Sequence, residues 1–235
     1  MKNNNKFRLD VWGAITLGTI ALYALFLLYP MAYLIRQSVL DPDTGSFTLA
    51  YFTKFFSKSY YFDTLINSFK VSITATVLSI AIGTPLAYLF TIFKIKGKSV
   101  LNILIVVASM SAPFIGAYSW ILLLGRSGII TTFFKNLGIA IPDIYGFGGI
   151  VLVMTLQLFP LVFLYAKGAL KNIDNSLIEA AENLGCSGIA CFFKVVVPLI
   201  MPTLLAAALL VFMRSFADFG TPMLIGEGYR TFPVV

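Results

Sequence analysis

Residues 11–35 read VWGAITLGTIALYALFLLYPMAYLI, 25 positions without a charged side chain. As a helix rising about 1.5 Å per residue, this run would be about 37 Å long, enough to cross a hydrocarbon core of about 30 Å with some tilt. A secretory leader carries an apolar stretch of only about 7–15 residues, so the run reads as a membrane span despite the basic residues before it. Four further charge-free runs occupy 71–93, 99–125, 144–166 and 195–213. An unpaired backbone amide is costly in hydrocarbon, and a helix pairs its own amides within one segment, so each run is predicted to be helical. Pro30, Pro85, Pro113, Pro160 and Pro202 then mark kinks or helix ends. The predicted fold class is all-α: a polytopic transmembrane helical bundle of about five spans, forming one domain over 1–235.

The composition agrees. Of the 235 residues, 59% are hydrophobic and 11% charged, against about 25% charged in a soluble domain. The formal charge of +7 comes from lysines and arginines lying between apolar blocks, not on one basic face, which argues against nucleic acid as a partner. The sequence has no histidine, the commonest general base and metal ligand. Its two cysteines, Cys186 and Cys191, share one polar loop without a CxxC spacing. No metal site, cofactor or enzyme activity is expected.

Lys94, Lys96 and Lys98 form a dense basic connection with no acid, and Lys2, Lys6 and Arg8 precede the first run. Both segments fit the cytoplasmic side of the membrane, the N-terminus included. The overall basic count is nine inside against eight outside, so the orientation rests on the lysine cluster. Segments 36–70 and 126–143 then lie outside, and 167–194 lies inside.

That inner loop reads KGALKNIDNSLIEAAENLGCSGIACFFK over 167–194. Ser176 followed by Glu179 has capping-box spacing, with the hydroxyl taking the Glu179 amide and the carboxylate returning to the Ser176 amide. Leu177, Ile178, Ala181 and Leu184 share a helical face, Gly185 suits the left-handed residue that ends a helix, and Ser187 can cap a second short helix. An apolar stripe in an aqueous loop needs a cover, either the membrane surface or a protein groove. Ala180 and Ala181 allow close backbone approach, and Glu179 offers a charge to a basic partner, which favours the groove.

Glu179-Ala180-Ala181, three residues, Gly185, nine residues and Val195-Val-Val-Pro198 resemble the EAA loop of binding-protein-dependent ABC importer permeases, whose pattern ends in Ile-x-Leu-Pro. Val195 and Val197 replace Ile and Leu. At average residue usage the five fixed letters coincide at one start point with a probability on the order of one in a million. The resemblance implies that Glu179, Ala180, Ala181, Gly185 and Pro198 belong to coupling helices seated in a cytoplasmic ABC ATPase dimer. It also implies a second permease half and an extracytoplasmic substrate-binding protein as partners, beside the lipid bilayer. ATP hydrolysis would belong to the partner, and the chain has no GxxxxGK[ST] loop of its own.

The segment 213–235, MRSFADFGTPMLIGEGYRTFPVV, resembles the iron(III) branch of these permeases, which is similar in turn to polyamine and phosphonate importers. Arg214 and Asp218 stand four apart and would pair on a continuous helix, or line or gate the route together with Pro222. Phe219-Gly-Thr-Pro222 reads as a helix break. Asp218 or Glu227 would suit a cationic cargo, and the cargo ranking is ferric iron, then polyamine, then organophosphonate. A secondary transporter or structural membrane subunit is the alternative from another class. Such permeases usually carry at least six spans per half, so the resemblance further implies a chain cut short before a final span.

Overall fold

The computed structural model describes residues 11–41, 45–93, 96–110, 112–139 and 142–235, with the backbone alone at 113, 175, 179 and 182. The tail bearing Lys2, Lys6 and Arg8, and Lys94 of the lysine cluster, lie outside these. The chain divides into two compact units, Met1–Phe62 and Asp63–Val235. Among the described residues there is no extended strand, only an isolated antiparallel bridge between Leu40 and Phe47. Five stretches are long and apolar enough to cross a membrane: Val11–Val39, Ser59–Ile92, Phe114–Asn136, Phe147–Lys171 and Gly188–Phe216. The all-α transmembrane fold class therefore holds.

In the first unit, α1 (Val11–Tyr23) runs through a π-helical turn at Ala24–Leu28 into α2 (Tyr29–Val39), and α3 (Ala50–Ser57) follows. None of these three helices buries a residue within the chain. Trp12 is 77% and Phe26 73% exposed. A helix apolar all round is stable only where lipid or another apolar surface covers it. The π-turn sits immediately before Pro30, where the missing amide and the bulk of the ring would otherwise strain a regular turn.

The second unit is built around α4 (Ser59–Ile92) and α8 (Phe147–Lys171). α4 begins twelve residues before the charge-free run at 71 and carries a buried face of small residues, among them Ser68, Ser72, Ala75, Ser79, Gly83 and Ala87. Without side-chain bulk, two membrane helices approach closely and gain dispersion contact. Gly83 marks the nearest approach: a Cβ there would stand 2.9 Å from both the Phe159 carbonyl oxygen and the Val162 Cβ. Phe90 of α4 meets Phe163 of α8 edge to face, with ring centroids 5.2 Å apart. Val162, Phe163 and Ala166 are fully buried in this core with Val196, Ile200 and Leu204. The last two lie on α11 (Val197–Phe216), which packs along α8.

The run 99–125 is not one span. It is two twelve-residue helices, α5 (Lys98–Ser109), which ends at the C-cap Met110, and α6 (Pro113–Leu124), which starts after the N-cap Ala112. Ala112 is extended because the residue before a proline avoids the helical region. Gly125 and Gly128, both extended, separate α6 from α7 (Ile129–Asn136). Pro85, Pro160 and Pro202 lie inside α4, α8 and α11, as expected for membrane helices.

Candidate functional site

The connection from α8 to α11 is an elbow of two short helices, α9 (Asn175–Asn183) and α10 (Gly188–Cys191). The start differs from the predicted capping box. α9 begins before Ser176, and the Ser176 amide donates to Asp174 Oδ1 at 3.0 Å. The Leu177 amide donates to the Asp174 carbonyl at 3.1 Å, so Asp174 performs the capping. An acid one position before the first helical residue reaches the second amide, and Ser176 is left inside the helix. The side chain of Glu179 lies outside the described residues.

The hydrogen bonds from the Ser176 amide, first, and the Ser176 hydroxyl hold the Asp174 carboxyl below the usual carboxylate range. Its folded value is depressed, so the stabilising contribution is present above the ordinary value of about 4 and is lost as pH falls through the folded value. Asp174→Ala is expected to speed amide exchange at Ser176 and Leu177 while leaving Val162 and Phe163 unchanged, as read by hydrogen–deuterium exchange.

The end of α9 follows the prediction. Gly185 has φ +85°, and the Cys186 amide donates to the Ala181 carbonyl at 3.0 Å, the long bond of a Schellman motif. Ser187 takes the extended N-cap conformation before α10 without a side-chain capping bond. A second π-turn, Phe192–Val196, then leads into α11 just before Pro198, repeating the arrangement at Pro30. The base of the elbow is fixed: Cys191, Phe192 and Val196 are buried, and the Phe192 ring lies 4.8 Å from that of Tyr88. Its tip is bare, with Leu184 89% and Ile189 78% exposed. An anchored elbow with an apolar, exposed tip needs a cover, either the membrane surface or a protein groove.

At the end of α11 the predicted pairing of Arg214 with Asp218 does not form. α11 stops at Phe216, so the two residues do not share a helix. Asp218 instead caps α12 (Gly220–Ile225): Oδ1 accepts from the Gly220 amide at 2.9 Å and Oδ2 from the Thr221 hydroxyl at 2.6 Å. A break is present, but it lies at Ala217–Phe219, while Gly220, Thr221 and Pro222 of the expected Phe219-Gly-Thr-Pro222 break are the first residues of α12. Pro222 is buried within α12. Arg214 makes no ion pair among the described residues. With Ser109, Phe114, Gln157 and Asp218 it lines a cavity of about 440 Å³. Gln157 and Ser109 had no signal in the sequence, because only the packing of α5 and α8 against this end brings them there.

Glu227 does not reach this cavity. It bonds Arg126 at 2.6 Å, and Arg126 also bonds Asp143 at 3.0 Å and stacks over the Tyr145 ring at 4.9 Å. Glu227 sits at φ +50°, a conformation rare outside glycine. Both acids considered for a cationic cargo are therefore engaged by the protein itself.

Residues 46–234 match the family model for the binding-protein-dependent transport system inner membrane component. The chain is 29% identical over 212 residues to the putative ferric transport system permease protein FbpB 1 of Haemophilus influenzae, covering 89% of this chain and 33% of that protein. It is also 29% identical over 232 residues to the spermidine/putrescine transport system permease protein PotB of the same organism, covering 95% and 79%. It thus spans about a third of the ferric relative. Among solved structures, a chain of a bacterial alginate ABC transporter in complex with an alginate pentasaccharide-bound periplasmic protein superposes with a TM-score of 0.73 at 16% identity, over 95% of this chain and 77% of that one. At that identity the likeness is one of fold.

Proposed function

Since the chain belongs to the family of binding-protein-dependent transport system inner membrane components, we propose that it is a permease subunit of an ATP-driven importer in the bacterial inner membrane. It forms part of the translocation pathway and takes up the motion of a separate cytoplasmic ATPase dimer through the elbow of α9, Gly185 and α10. The observation that carries this reading is the elbow itself, rooted in the core by Phe192 and Val196 and bare at Leu184 and Ile189. Glu179, Ala180 and Ala181 lie on α9, and Pro198 opens α11, so a push on the tip is delivered to the helix that packs along α8. A second permease half and an extracytoplasmic binding protein complete the assembly. The family match favours this class over a secondary transporter or a structural subunit.

The pathway is assigned to the cavity beside Arg214 and Asp218, with Pro222 supporting the short helix that bounds it. Ferric iron is the preferred cargo. Among the described residues Arg214 and Asp218 bring one charge of each sign to the cavity, so the preference for iron rests on the likeness to the ferric relative. The polyamine reading is kept because the chain covers 79% of PotB at the same identity as the ferric relative. Uptake of labelled ferric iron and of labelled spermidine, measured in cells supplied with the permease, its ATPase and its binding protein, separates them. ATP-dependent iron accumulation is the expected result. Spermidine accumulation would transfer the assignment to polyamines, and uptake of neither would overturn it.

Asp218→Ala removes the cap of α12, an interaction of about 1 kcal/mol in comparable helices. Uptake is expected to fall several-fold with membrane insertion intact, read by transport assay beside membrane-fraction immunoblots.

A further inference from the structure

Where α4 ends and α5 begins, Phe90, Thr91, Lys98, Asn102, Lys167 and Lys171 line a cavity of about 460 Å³. Lys167 is fixed from two sides: it donates to Asn102 Oδ1, and its ammonium lies 5.3 Å from the centre of the Phe163 ring. Lys98 and Lys171 line the same cavity. Among the described residues no acid lines the cavity, and none of the three lysines has an ion-pair partner. Three uncompensated cations facing one concavity call for an anion.

The backbone adds to the same field. α5 begins at Lys98 directly after Gly97, which is left-handed at φ +79° and provides no side-chain cap. The first-turn amides of this twelve-residue helix, its positive end, are left without a side-chain acceptor. The cavity also lies at the ends of membrane-spanning helices, the depth at which phospholipid headgroups sit. Beside it Phe93 and Ile103 are 54% and 60% exposed, an apolar wall that acyl chains would cover.

We propose that this cavity binds a phosphate-bearing anion, supplied as the headgroup of an anionic glycerophospholipid rather than as free phosphate. Basic recesses between membrane helices recognise such headgroups by charge, with hydrogen bonding from the surrounding polar groups. Occupancy would tie the start of α5 to the last turn of α8, from which the elbow departs at Asn172. The site does not depend on the cargo or on the importer assignment.

The test is native mass spectrometry of the purified full chain in neutral detergent, given equal amounts of phosphatidylglycerol and phosphatidylcholine with identical acyl chains. The expected result is a preference of about tenfold for phosphatidylglycerol. It should nearly vanish in K98Q/K167Q/K171Q and persist in K54Q/K58Q/K135Q, which removes the same charge elsewhere. Should the first triple variant lose helicity, Lys171→Gln alone, at an exposed position, is expected to cut the preference several-fold with circular dichroism unchanged. An unchanged preference in either site variant would overturn the proposal. Displacement of phosphatidylglycerol by millimolar inorganic phosphate would overturn the lipid as the source while keeping the anion site. Equal retention of both lipids by the unmodified chain would refute both.

Discussion

Gly185→Val is expected to lower ATP-driven uptake by about tenfold or more while leaving the permease inserted. Gly185 holds φ +85°, and a Cβ there would meet nothing within 4 Å. The penalty is therefore conformational rather than steric. A β-branched residue forced into such a backbone costs about 1–3 kcal/mol, and about 1.4 kcal/mol is a factor of ten in the population of the bent elbow. The cost falls on an exposed tip, so the buried contacts of Val162, Phe163 and Val196 survive. Gly185→Asn should retain most activity, because asparagine tolerates the left-handed region better than other side-chain-bearing residues. Uptake assays of the two variants at matched membrane levels decide this. Equal activity of the valine and asparagine forms would mean that the left-handed turn is not what transmits motion.

Gly83→Leu is expected to lower the thermal unfolding midpoint and the yield of folded chain. Two of the nearest atoms to a Cβ at this position belong to the backbone of α8: the Phe159 carbonyl oxygen at 2.9 Å and the Phe163 nitrogen at 3.1 Å. A backbone cannot rotate aside as a side chain can, so α4 and α8 must separate and the Phe90–Phe163 contact loosens. Overpacking of this kind costs about 1–3 kcal/mol. Gly168→Ala on α8 gives the opposite sign: nothing lies within 4 Å of its Cβ, and alanine in a helix interior is favoured over glycine by about 0.5–1 kcal/mol. Thermal unfolding in detergent, with both variants beside the unmodified chain, reads the difference. A midpoint for Gly83→Leu equal to that of the unmodified chain would show that the two helices do not touch there.

The membrane class and the elbow were legible because each rests on a strong local signal. A charge-free run of 25 residues has few soluble solutions, and Gly185 after a helical stripe has one common use. The break between α5 and α6 was hidden because hydropathy is blind to a turn made of apolar and small residues, and only Pro113 hinted at it. The capping of α9 was misassigned by one competition: Asp174 and Ser176 are both capping residues, and the earlier one took the amide. The missing Arg214–Asp218 pair has a similar cause. Spacing by four implies contact only if the helix continues, and here α11 stops at Phe216 and Asp218 accepts from Gly220 and Thr221 of α12 instead. Gln157 and Lys167 enter their cavities through packing among α5, α8 and α11, which no linear pattern encodes.

The central claim is that the elbow between α8 and α11 stands in the cytoplasm and is covered by an ATPase. Cys186 reports on it directly, since it lies beside Gly185 and is partly exposed while Cys191 is buried. Labelling with a membrane-impermeant maleimide should modify Cys186 in inside-out vesicles but not in intact cells, and the bound ATPase subunit should block it. Modification of Cys186 from outside intact cells would contradict the account.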